Sequence, residues 1–426
     1  MRVEAEEGGR CSYLDGLRGV AACIVFFGHL VIAVFPTVVT FNPNEAHYSY
    51  EEAVGLSPLG WIWKGSYAVC IFFVLSGYVL AGFSQRTKLS VPAQVTRRYF
   101  RLALPMVITS FLAYVLMVSG CYKNLDAAAE VTKSGWLSMW YRAFDPSLFG
   151  MTREALYDAF VDGRANYNSN LWTMKIELIG SVALFLCYGT FRNVIARIGA
   201  CLVFVYLFGK SYYSLFAIGV LCYELEVPLR RLLMRLFGTE ERFEPVALAG
   251  LLAGLYLGAY PHIQSGMTAS WHFFLPTRFS ATTYHMMAAV MTVGSVLYST
   301  TAQRMLGSAF GRYLGRLSFV LYLVHLPLIC SLTAWSMYLL RGLPYSANAA
   351  FAFVLTTSVV FGLSTLLYVY VDVYTTLLSR STGRKLDELF PEKLTTLKAG
   401  HSVSILADIL TRKEAYEVAE KKVAVN

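Results

Sequence analysis

The sequence predicts an all-α, polytopic membrane protein with about ten transmembrane helices and both termini in the cytosol. Three observations carry that expectation. Hydrophobic residues fill 56% of the 426 positions and charged residues only 15%, which is outside the balance of soluble domains. Apolar runs recur along the chain with short polar interruptions, and the mean hydropathy is +0.51. Basic residues, finally, crowd into alternate interruptions rather than spreading evenly.

Expected spans are 17–35, 67–83, 102–119, 171–189, 193–208, 211–225, 246–260, 283–300, 317–340 and 347–373. Several fall short of the roughly 20 residues of a perpendicular crossing, so tilt or a re-entrant segment is expected among them. Interval 84–101 holds Arg86, Lys88, Arg97, Arg98 and Arg101 without an acid, and 301–316 holds Arg304, Arg312 and Arg316 without one. Both should face the cytosol, as should Arg230, Arg231 and Arg235. Interval 36–66, with Glu45, Glu51 and Glu52 against Lys64, and interval 261–282, with only Arg278, should face outward or into a lumen. This alternation works for an even number of spans with both termini in the cytosol and supports ten over nine. The net charge of +9 therefore reads as topology, not as a nucleic-acid surface.

Outside the membrane core lie three stretches. Residues 1–13 form a cytosolic N-terminal segment, with Glu4, Glu6 and Glu7 where a cleaved signal peptide would be basic. Residues 120–170 form an outer loop containing Trp136, Trp140 and Tyr141, either a lid over an outer cavity or a solvated excursion. Residues 374–426 form a charged cytosolic tail ending in Lys421-Lys422-Val423-Ala424-Val425-Asn426, whose lysines lack the spacing of a retrieval signal. The plasma membrane and the endomembranes both stay open as locations. Eight cysteines include no C-x-x-C pair, so neither a zinc site nor a disulfide framework is expected.

Arg18 and His29 stand out, because an ionisable side chain in a membrane span marks a functional site by default. Eleven helical steps return to nearly the same face after a rise of about 16 Å, so the two share a face at different depths. Arg18 belongs at the cytosolic mouth and His29 near mid-membrane. An imidazole can serve as a general base, or simply as a hydrogen-bonded core residue. Arg98 and Arg101, at i and i+3, present two guanidinium forks suited to a polyphosphate, or to topology alone. Glu177, about 9 Å into the fourth span, is expected near the depth of His29, where a carboxylate could orient the imidazole. An ion pair with Lys175 is its structural alternative. His325 is followed by Pro327, which should kink the ninth span and shape a cavity. Ser76 and Asp15 are further cavity-lining candidates, with packing and helix N-capping as their respective structural roles.

Collectively these segments resemble the membrane acyltransferase-3 family, integral-membrane O-acyltransferases that modify sugars, peptidoglycan, antibiotics and other hydroxyl compounds. Leu14-Asp15-Gly16-Leu17-Arg18-Gly19 followed by His29 is similar to its opening motif, and Phe72–Tyr78 to its second-span signature. Arg98–Arg101 is similar to its Arg-x-x-Arg motif, Leu171–Glu177 to its Leu-Trp-Ser/Thr-x-x-x-Glu segment, and Ser318–Pro327 to its late Tyr-x-x-His-x-Pro run. The order is the family's, over residues 12 to 373. The segment Leu178-Ile179-Gly180-Ser181 departs from the usual continuation and looks more like the fungal branch. The resemblance implies transfer of an acyl group, often acetyl, from cytosolic acyl-CoA to a hydroxyl reached from the opposite side, without a metal. It implies His29 as base or acyl carrier, Arg18 in the donor path, Arg98 and Arg101 holding CoA, and Glu177 supporting the site. With no hydrolase-like domain after the spans, direct transfer to the final acceptor is expected. A transporter with His, Arg and Glu along a proton or solute path is the competing expectation.

Overall fold

The computed structural model describes residues 12–389 apart from 142–143, 263–270, 273 and 277. Residues 1–11 of the expected N-terminal segment and most of the tail beyond 374 thus lie outside the described residues. Among the described residues all regular structure is helical. In chain order the long helices are α1 (Ser12–Val34), α2 (Gly65–Arg86), α3 (Val91–Val118), α4 (Thr173–Thr190), α5 (Val194–Phe208) and α6 (Tyr213–Phe237). They continue with α7 (Glu240–Gly258), α8 (Ala281–Tyr298), α9 (Ala309–Leu328), α10 (Tyr345–Leu367) and α11 (Val373–Leu389).

A helix occupies each expected span, and six stretches are long and apolar enough to cross a membrane: α1, α2, α3, Ser169–Thr190, Ala309–Leu339 and Tyr345–Leu389. The chain is a multi-pass membrane protein. α5, at 15 residues, is shorter, while α6 and α7 run into charged ends. α3 begins well before the expected residue 102, so Arg97, Arg98 and Arg101 lie inside a helix and not in a loop ahead of it. Arginine is a good helix former, and the packing described below gives these guanidiniums partners.

Glycines set the closest helix approaches. A Cβ on Gly16 would stand 2.1 Å from the Leu306 carbonyl oxygen, one on Gly19 2.4 Å from the Leu314 carbonyl carbon, and one on Gly315 2.5 Å from the backbone of Asp15. α1 therefore touches α9, and the short helix Thr300–Leu306 ahead of it, backbone to backbone. The glycines of the opening motif are packing residues. Gly77 on α2 and Gly219 on α6 play the same part, each Cβ position lying 2.2 Å from a carbonyl oxygen of the facing helix.

Pro327 perturbs α9 as expected, and the perturbation is absorbed locally. Proline has no N–H, so the Leu323 carbonyl loses its helical donor. Asn168 supplies one, its Nδ2 donating to that oxygen at 2.7 Å, and Asn170 Nδ2 donates to the neighbouring Tyr322 carbonyl at 3.0 Å. Past the proline the chain runs through a π-helical turn, Ile329–Thr333, where Ser331 Oγ donates to the Pro327 carbonyl at 2.7 Å. The segment just before α4 is thereby fastened to the middle of α9. Asn168→Ala should orphan a fully buried carbonyl and cost about 1–3 kcal/mol, read as a lower thermal midpoint in detergent. In a Pro327→Ala background, where an N–H is restored, the same substitution should cost markedly less.

Candidate active site

α1 and α9 meet where each carries a histidine. His29 Nδ1 lies 2.9 Å from His325 Nε2, and His325 Nδ1 lies 3.0 Å from the Leu321 carbonyl oxygen. A carbonyl only accepts, so His325 donates from Nδ1. With both rings neutral, its Nε2 is an acceptor, and His29 must donate from Nδ1. The lone pair of His29 is then on Nε2. The relay fixes the tautomer of His29 in the form a general base requires, with His325 as its orienting partner. His325 is fully buried, whereas His29 is only partly so.

The segment between α3 and α4 sets an aromatic ring against this pair. Trp136 stacks on His29 with ring centroids 5.1 Å apart, so His29 lies between an indole and a second imidazole. The short helix Gly135–Ser138 that carries the indole is capped by Ser134, whose Oγ accepts from Leu137 N at 3.1 Å and donates to the Ile32 carbonyl of α1 at 2.7 Å.

A second feature opens at the arginine-rich end of the bundle. A cavity of about 1150 Å³ is lined by Arg18, Arg86, Arg97, Arg98, Arg101, Arg316 and Arg380, with Ser76, Glu177 and Asp372. Arg98 forms an ion pair with Glu177 and donates from Nε to Ser181 Oγ at 3.0 Å. Ser76 Oγ donates to the same carboxylate at 2.9 and 3.1 Å. Arg101 is held by Asp372 through both guanidinium nitrogens, at 2.6 and 3.1 Å. Arg18 pairs with Asp15 at 3.1 Å.

These partners correct three expectations. Glu177 does not orient His29; its carboxylate is taken by Ser76 and Arg98 in the cavity wall, and His325 does the orienting. Rise along a helix predicts a depth and carries no information on which neighbours a side chain meets. Asp15 is not an N-cap, because α1 is already helical from Ser12, and its carboxylate turns to Arg18. Ser76 is more than a packing residue, since it helps to fix Glu177.

Tyr322 separates the two features. Tyr322 lines the cavity together with Phe72 and Thr173. The Tyr322 hydroxyl donates to the Asn170 carbonyl and lies 3.0 Å from Thr173 Oγ1, while its ring meets His325 edge-on at 5.8 Å. Sequence reasoning missed Tyr322, Asn168, Asn170 and Asp372. The asparagines could have been sought as donors for the carbonyl that Pro327 strands. Among the described residues no group of three or more His, Cys, Asp or Glu side chains could hold a metal ion.

The described helices thus form a membrane bundle with a cavity lined by arginines at one end and two hydrogen-bonded imidazoles near it. The acyltransferase-domain family model matches residues 12–369. The chain belongs to that family and is a membrane acyltransferase. It is similar to the acyltransferase R4 of a Phoma species, 24% identical over 75% of this chain and 83% of the relative. It is likewise similar to the O-acetyltransferase PaAT-1 of Phomopsis amygdali, 24% identical over 75% and 72% of the two chains. The acyltransferase clz18 of Cochliobolus lunatus is 25% identical over 75% and 83%. No solved structure matches the chain.

The Arg98–Glu177 pair is largely buried, so removing one member should cost about 3–5 kcal/mol by stranding the other charge. Arg98→Met and Glu177→Gln alone should each lower the thermal midpoint sharply, and the double variant should lie above the worse single. A double loss equal to the sum would show that the two do not act as a pair.

Proposed function

We propose that the protein is an O-acyltransferase that moves an acyl group, acetyl in the simplest case, from cytosolic acyl-CoA to an acceptor hydroxyl. The observation that carries this reading is the placement on one helix of Arg18, in a cavity lined by arginines, and of His29, beyond Tyr322 with its Nε2 lone pair free to accept a proton. The proposed topology has ten spans with both termini and the basic cavity in the cytosol, following the loop charges. Guanidinium forks suit the phosphates of CoA, and the acyl-pantetheine arm would pass Tyr322 to reach the histidines. The hydroxyl would come from the side covered by Trp136. A relative named as an O-acetyltransferase supports the choice of acetyl and of oxygen. Membership of an acyltransferase family weighs against the transporter alternative.

In this chemistry His29 Nε2 takes the proton of the acceptor hydroxyl as its oxygen bonds to the thioester carbonyl carbon. The imidazolium keeps its Nδ1–H on His325, which spreads the charge over two rings. Collapse of the tetrahedral intermediate breaks the C–S bond, and the departing sulfur takes the proton back from His29. Base catalysis of this kind contributes about 10²–10⁴-fold. Acceptors are carbohydrate, lipid or secondary-metabolite hydroxyls, identified by an acyl mass difference between cells with and without the protein.

His29→Ala should reduce CoA release from acetyl-CoA to background while CoA binding, followed by calorimetry, survives; sustained turnover would remove His29 from the reaction. A stoichiometric acyl adduct on His29, trapped without acceptor, would favour the acyl carrier over the base. His325→Ala should lower kcat by about 10²-fold with little change in the KM for the donor, as suits a positioning residue.

A further inference from the structure

The arginines of the basic cavity fall into two kinds. Arg18, Arg98 and Arg101 each hold a carboxylate. Arg86, Arg97, Arg316 and Arg380 line the same cavity, and among the described residues none of them has an ion-pair partner, while Arg86 and Arg316 donate from Nε to the carbonyls of Gly82 and Arg312 on their own helices at 2.9 and 3.4 Å. The Arg97 guanidinium lies 4.5 Å over the Phe83 ring, which leaves its forks uncommitted. It also feels the like charges of Arg380 and Arg384.

The fold forces this convergence. α11 is clamped along the first turns of α3 at two places: Asp372, at its start, holds Arg101, and Asp387, near its end, accepts from the Ser90 backbone N–H at 3.0 Å. Between the clamps sits Gly383, where a Cβ would stand 3.0 Å from Arg97 Cβ and 3.1 Å from the Ala93 carbonyl oxygen. A close crossing at a glycine thus brings the Arg380 turn of α11 against Arg97. Attraction at both ends holds repulsion in the middle, and no acid in the described residues relieves it. Such a cluster at a cavity wall is suited to an anion with more than one charge.

We propose that Arg97 and Arg380 form a phosphate subsite for the ribose phosphomonoester of the donor, distinct from the acid-paired arginines deeper in the cavity. This rests on the acyl-CoA reading above. A phosphomonoester carries close to two negative charges near neutral pH and three terminal acceptor oxygens, which two unneutralised guanidiniums match. Arg98 and Arg101 have their charges offset by Glu177 and Asp372 and serve the wall first. α11, which belongs by sequence to the tail, is on this account part of the donor site.

The experiment compares acetyl-CoA with acetyl-3′-dephospho-CoA on the purified full chain in phospholipid-free detergent. Charge-assisted hydrogen bonds of about 1.5–3 kcal/mol correspond to about 10–100-fold, so the wild type should show a KM for the dephospho donor higher by that factor. Arg380→Ala and Arg97→Ala should each shrink the ratio by about tenfold, through a raised KM for the phosphorylated donor alone, and Arg380→Lys should keep part of it. Arg380 is exposed, so its loss leaves the fold intact. A wild type that turns over both donors with one KM overturns the subsite and leaves the acyl-CoA reading standing. A wild type that turns over neither overturns both. Variants that weaken both donors alike overturn it in favour of a general charge effect. An unchanged ratio with weakened binding to anionic-lipid nanodiscs overturns it in favour of a lipid phosphate.

Discussion

The backbone contact between α1 and α9 is the constraint from which the site follows. Imidazoles 296 positions apart in sequence hydrogen-bond at 2.9 Å, and a hydrogen bond of that length tolerates shifts of only a few tenths of an ångström. Gly19 and Gly315 set the helix separation, since a Cβ at either would drive into facing backbone, and Gly16 makes the same close approach to Leu306 in the short helix Thr300–Leu306 ahead of α9. In lipid no hydrophobic force draws helices together, and close packing of small residues takes its place. The glycines beside Arg18 are thus as much a part of the histidine relay as the histidines, although they lie several turns away from it.

Charge satisfaction extends the same frame. Arg98 ties α3 to α4 through Glu177, and Arg101 ties α3 to the π-helical turn Tyr368–Asp372 between α10 and α11. A buried pair is weak evidence for net stability, because desolvation offsets much of the attraction. Its effect is on register: each guanidinium fits its carboxylate in one arrangement of the helices. Three elements distant in sequence are in this way fixed around one cavity, and the wall can carry further arginines without collapsing onto them.

The helices were legible because apolar runs of this length have few alternatives, and Arg18, His29, Arg98, Glu177 and His325 stood out because ionisable groups are expensive in that setting. How they pair was not legible. Helical rise predicts comparable depths for Glu177 and His29, but the Glu177 carboxylate is held by Ser76 on α2 and Arg98 on α3, contacts that no local pattern encodes. Asp372 sits in a span that otherwise reads as uninterrupted lipid-facing sequence, and its partner is 271 positions away. The charges after 373 read as a solvated tail, yet Gly383 and Asp387 dock α11 on α3. Asn168 and Asn170 came closest to being readable. Pro327 announces an orphaned carbonyl, and two asparagines next to an apolar helix start are fitting donors for it.

Pro327 also bears on how the two ends of the site communicate. The asparagines that repair its broken turn are anchored to the carbonyls of Tyr322 and Leu323, and the Tyr322 hydroxyl returns to the Asn170 carbonyl. The ring that separates the basic cavity from the histidines is consequently held by both its backbone and its hydroxyl. A side chain held this way is a partition with a defined closed position, not a mobile filler. Under the proposed chemistry, that partition keeps water in the basic cavity away from the histidines until an acyl-pantetheine arm displaces it, so the thioester meets His29 only when the arm itself fills the gap. The hydrogen bonds from Tyr322 to Asn170 and Thr173 would then be broken by donor entry and restored when the donor leaves. Part of the donor's binding energy would be spent on that opening, which favours transfer to the hydroxyl over hydrolysis of the thioester.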